Sequence, residues 1–338
     1  MKPVTLFAPK IEKFNLLFPL PFIVVGIFEA FKFISFRDQL FRERFSYVSL
    51  IIFLNYLHVF FTPFFISVLP SGRKWFKEKC RADKSQYWIG IILLIAIYRY
   101  FIYPQNQPTI YLDLLFTGIL EIFAIYHNAS QTFGLSLLYN KKAIEAKVTT
   151  KEALKVTEPW ERRLFHFQFI LLTTTMIARR TPIGDNIIYY VLPIAMFISA
   201  IQLGLIYLQT RSIQSYKFIY SLRFLLYPLT LNSFVATMGI LSFHGVEYLF
   251  VTQKLMEKEE GNYQIPVAVF AFLLLFITVV FSYNYFLDES SLYWIPFQLL
   301  NAFFSMFILL HYWVDGLMFK SKDKISREYI FQKLISNN

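Results

Sequence analysis

The chain has 338 residues, 56% of them hydrophobic and only 16% charged, with 40 Phe and a mean hydropathy of +0.47. A soluble protein of this size would carry more charge and fewer aromatics. The net charge of +11 is spread through connectors with no aromatic-interleaved basic module, which points to cytoplasmic loops of a membrane protein and away from nucleic-acid binding.

Apolar runs near or above about 18 residues recur along the chain, the mark of a polytopic α-helical membrane protein. Runs such as Ile89–Ile97 and Val267–Phe281 do not alternate apolar and polar residues, which sets a β-barrel aside. The expectation is all-α: one integral membrane helical domain over 1–338, a transmembrane bundle with eight to ten crossings.

In chain order the predicted apolar stretches are Phe14–Ser35, Ser46–Leu69, Gln86–Tyr103, Thr109–Tyr139, Trp160–Ile177, Asn186–Leu208, Ile219–Val251, Ile265–Leu287 and Leu292–Phe319. No small-residue cleavage site follows the first, so it reads as a retained helix. Ile219–Val251 is long and interrupted at Pro228, consistent with an interfacial helix plus a span or with two short spans. Connectors are short except Asn140–Pro159, which is polar and helix-permissive. Trp75, Trp88, Tyr103, Trp160 and Trp294 lie near stretch ends, as an interfacial belt would.

The segments Ser71–Ser85, Asn140–Arg163 and Lys320–Lys333 are strongly basic and are expected in the cytoplasm. Nine simple crossings would put the tail outside, so one crossing between Trp160 and Val251 must count differently. The expected location is a bacterial inner membrane with a cytoplasmic C-terminus. The single cysteine, Cys80, excludes an intramolecular disulfide.

Ionisable residues inside these stretches are costly unless they face a protein interior or a water-filled cavity. His311 and Asp315 lie four apart, His127 and Gln131 four apart, His244 and Glu247 three apart, and Asn55 and His58 three apart. Such spacings put each pair on one helix face. The expected centre is a metal site with His58, His127, His244 and His311 as ligands. Glu247 and Asp315 would orient imidazoles, handle protons or bind the ion; Gln131 and Asn55 would do the orienting work as neutral groups. Imidazoles with carboxylates suit iron first, then copper or zinc, over magnesium or calcium.

Tyr126, Tyr248 and Tyr312 adjoin histidines, but 22 Tyr make such adjacency cheap. His166 lies near a basic boundary, away from the expected centre. Glu29 and Glu121 are further intramembrane carboxylates, Glu29 with Lys32 one turn on as a local partner. A lone intramembrane histidine is as often a simple interhelical contact as a ligand. No Walker A, HExxH, GxSxG, paired-cysteine or desaturase-type histidine-box sequence occurs.

The segments NYLHVFFTPFF, YHNASQTFGLSLLYNKK, HGVEYLF and HYWVDGLMFK resemble signature segments of multipass bacterial membrane proteins of unsettled function. One histidine on each of four helices is also similar, in layout only, to the Brp/Blh β-carotene dioxygenases. That resemblance implies a four-histidine non-haem iron oxygenase acting on a lipid-soluble small molecule within the bilayer. A proton-coupled transporter, or a scaffold whose polar residues only tie helices together, is the alternative; against the transporter, no inverted repeat is evident.

Overall fold

The structure, a computed structural model, describes residues 9–33, 59, 62, 64–83, 110–145, 149–178, 184–211, 215–257, 259, 308, 310–318 and 323–335. Among them every regular element is helical: α1 Pro9–Leu17, α2 Leu20–Ala30, α3 Pro70–Asp83, α4 Ile110–Glu145, α5 Lys151–Ala178, α6 Gly184–Thr210, α7 Tyr216–Ser221, α8 Leu226–Leu229, α9 Phe234–Met256 and α10 over 310–318. Shorter helical pieces run from Lys324 to Ile335, with a π-turn at Arg327–Phe331. Three helices among the described residues are long and apolar enough to cross a membrane: Lys10–Ala30, Asn186–Thr210 and Phe234–Met256. The stretches at 86–103 and 265–287, and most of those at 46–69 and 292–319, lie outside the described residues.

The chain divides into two compact units, Met1–Glu43 with Leu120–Glu247, and Arg44–Ile119 with Tyr248–Asn338. The division falls inside α4 and α9.

In the first unit, the predicted stretch Ile219–Val251 is broken into pieces. Ser215 caps α7 by accepting from the Phe218 N–H at 3.1 Å. A 3-10 turn, Leu222–Leu225, and α8 carry the chain past Pro228, and α9 then begins at Phe234. The start of α9 explains a second departure. Glu29 does not pair with Lys32. It accepts from Ser233 Oγ at 2.7 Å and from the Val235 N–H at 2.8 Å. A carboxylate here satisfies the orphan Val235 N–H and meets the positive end of the helix dipole. Lys32 instead donates to the Tyr189 hydroxyl.

Helices α2 and α9 meet closely. A Cβ on Gly239 would lie 2.6 Å from Phe22 Cβ, and one on Gly26 would lie 3.2 Å from Ala236 Cβ. Small residues at such crossings let helix backbones approach. The apolar core beside them includes Phe133 stacked on Phe165 at 4.5 Å, with Phe224, Leu229 and Phe243 buried. The connector at 140–159 is largely helical, because α4 runs on to Glu145 and α5 starts at Lys151.

In the second unit, the basic connector after Leu69 folds as α3. Trp75 is fully buried and donates to Ser326 Oγ at 3.1 Å, so it is a core residue and not part of an interfacial belt. Lys79 pairs with Asp323 at 2.9 Å, and Asp323 also caps the tail by accepting from the Ser326 N–H at 2.8 Å. Lys333 reaches Glu259 at 2.5 Å.

Candidate metal centre

In the first unit, α4 carries His127 and α9 carries His244, both buried. Their Nε2 atoms lie 3.1 Å apart, with the rings edge to face at 88°. Both sit within apolar stretches, where an imidazole must find a polar partner or an ion. Two nitrogens bound to one zinc-sized ion at about 2.0–2.1 Å sit roughly 2.9–3.4 Å apart, so this separation fits two ligands of one ion as well as an N–H···N bond. The donor chemistry is also right, since neutral imidazoles bind iron, copper and zinc.

Gln131 follows His127 by one turn of α4 and is buried. Its amide oxygen and nitrogen have no hydrogen-bond partner among the described residues.

Glu247 follows His244 by three residues, yet its hydrogen bonds run elsewhere. Oε1 accepts from the Tyr220 hydroxyl at 2.7 Å and from the Arg223 guanidinium. Arg223 is 1% exposed; it also donates to the backbone oxygen of Asn15 and to Asn15 Oδ1, the latter at 2.8 Å. Its guanidinium stands 4.2 Å over the Tyr220 ring and 4.9 Å over Phe243. Glu247 is thus committed first to a buried cation. Arg223 was legible: it is the lone charge in the apolar run SLRFLLYP, and a buried charge demands a counter-charge. What spacing could not show is which carboxylate answers it.

In the second unit, His311 on α10 is fully buried, and its Nδ1 lies 2.6 Å from Thr62 Oγ1. Thr62 donates to Asp315 Oδ1 at 3.2 Å, and the Tyr248 hydroxyl donates to the same oxygen at 3.1 Å. The hydroxyls of Thr62 and Tyr248 are 2.8 Å apart, and Asp315 Oδ1 stands 3.6 Å from His311 Nδ1. Thr62 Oγ1 therefore bridges His311 Nδ1 and Asp315 Oδ1. Thr62 and Tyr248 lie far from His311 in sequence, and no spacing rule joins them to it.

His127 and His244 in the first unit, and His311 in the second, are buried imidazoles of the kind that bind a metal ion. His58 and Asn55, and the side chain of Glu121, lie outside the described residues. His166 is exposed on α5, with its ring against Phe165.

No protein-family model, no curated protein and no solved structure matches the chain.

Proposed function

We propose that this chain is an integral membrane metalloprotein that holds a transition metal through His127, His244 and His311, with His58 as a fourth ligand. Iron is the first choice, with copper or zinc behind it. The observation that carries the reading is the 3.1 Å approach of two buried Nε2 atoms from α4 and α9. His311, buried and bonded through Nδ1 to Thr62, is the third imidazole of the proposal. The metal would supply Lewis-acid polarisation and, for iron or copper, one-electron chemistry. The activity that follows is a non-haem oxidoreductase or oxygenase acting on a lipid-soluble substrate. Three apolar helices support membrane residence; the fuller proposal is eight to ten crossings in a bacterial inner membrane, with the C-terminus in the cytoplasm.

Elemental analysis of detergent-purified protein tests this. The expected result is one equivalent of metal, lost in His127→Ala and in His244→Ala. Metal-free wild-type protein would end the proposal.

The chain Tyr248–Thr62–His311–Asp315 favours a second reading, a proton-coupled carrier in which these groups relay a proton. Proton-dependent uptake into vesicles by metal-free protein would support it over the first.

A further inference from the structure

The first unit holds a second pattern, and it runs along α4 away from the histidine pair. Asn128, Thr132, Ser136 and Asn140 follow one another at intervals of four, and His127 and Gln131 lie beside them. All six are buried. An interval of four keeps them on one face of the helix. At 1.5 Å per residue the stripe is about 20 Å long, most of the way through a hydrocarbon layer.

The side chains opposite are polar in the same way. Glu12 and Asn15 stand three apart on α1, Tyr220 and Arg223 three apart after the Ser215 cap, and His244 and Glu247 three apart on α9. Contacts join them to α4 and to one another, and within the stripe Thr132 bonds the Tyr227 hydroxyl at 2.8 Å while Ser136 donates to the Phe133 carbonyl at 2.8 Å. Tyr139 donates to Glu12, its ring lies 5.3 Å from that of Tyr220, Tyr220 donates to Glu247 at 2.7 Å, and Arg223 donates to Asn15 at 2.8 Å. The far end reaches the surface, where Lys10, Lys13 and Lys141 are exposed beside Glu12 and Asn140.

A purely structural network would satisfy its own members. Here Gln131 Oε1 and Nε2, Asn140 Nδ2, Ser221 Oγ and Arg223 Nε are buried with no hydrogen-bond partner among the described residues. Leaving such groups dry costs free energy for each, and water is the usual partner where several polar groups converge.

We propose that the first unit encloses a file of ordered water leading from the His127–His244 pair along α4 to its Lys141 end. The file gives solvent protons access to the buried pair. The destination rests on the metal reading above; the water file itself does not.

Radiolytic hydroxyl-radical footprinting of the detergent-purified full chain tests it, because water bound beside a buried side chain labels that side chain. Tyr139 and Tyr220, at 2% and 0% exposure, should be modified at a rate within about tenfold of the tail residue Tyr329, while the equally buried Phe133 and Phe165 stay protected. Asn140→Leu should lower modification of Tyr139 severalfold and leave metal content unchanged. Tyr139 and Tyr220 as protected as Phe133 and Phe165 would overturn the water file, as would Asn140→Leu with unaltered labelling. Metal analysis on the same sample separates the two ideas. Labelled tyrosines without metal sink only the metalloprotein, and protected tyrosines with metal sink only the water file.

Discussion

The surroundings of His244 and His311 look alike in sequence and differ in space. Each histidine has a carboxylate within one helical turn. In the second unit Asp315 stays with its histidine, joined to it through Thr62. In the first, Glu247 is taken by Arg223 and Tyr220, and His244 meets another imidazole instead. The difference lies in what else is buried nearby. A carboxylate in an apolar interior goes to the strongest cation within reach, and a fully charged guanidinium outranks a neutral imidazole.

The largest effect is expected from removing that cation. Arg223→Met should leave Glu247 buried and unpaired, lowering stability by about 3–5 kcal/mol in thermal or denaturant unfolding, and Arg223→Met with Glu247→Leu should recover most of the loss. An Arg223→Met protein as stable as the wild type would show that the two neighbourhoods are alike after all. Next comes Thr62→Val, which keeps the shape of the side chain and removes the hydroxyl beside His311 Nδ1. Metal affinity should fall about 10–100-fold, as when an outer partner of a ligating histidine is lost, and Thr62→Ser should restore it.

The smallest effect belongs to the partly exposed counterpart of the Arg223 pair. Burial works against ionisation of Asp323, but hydrogen bonds from Lys79 and from the Ser326 N–H outweigh it, and its carboxyl titrates below the usual aspartate value. A depressed native pKa gives stability that is present above the unfolded value of about 3.9 and is lost as pH falls through the native one. Protease protection of the tail should therefore drop in acid, below the ordinary aspartate range, and Lys79→Met should weaken that pH dependence, leaving the part due to the Ser326 N–H. Equal protection at all pH values would assign the tail to packing alone.

Much of the helical layout was legible. Apolar length marked the spans that became α6 and α9, and Pro228 marked the break before α9. The histidines were legible too, because an imidazole in an apolar run must find a polar partner or an ion. Their partners were not. Spacing reports neighbours on one helix, and it assigned Glu29 to Lys32 and Glu247 to His244. Glu29 went to the start of α9, more than 200 residues away, and Glu247 went to Arg223. Thr62 and Tyr248 reach His311 only through the fold. Trp75 carried the composition of an interfacial anchor and became a core residue because Ser326 accepts its N–H.

The central claim is that buried imidazoles bind one metal ion. X-ray absorption at the metal edge of the purified protein tests it most directly. The account predicts at least three imidazole nitrogens at about 2.0–2.1 Å, reduced by one in His311→Ala. A metal-free sample, or an ion surrounded only by oxygen or sulfur, would contradict it.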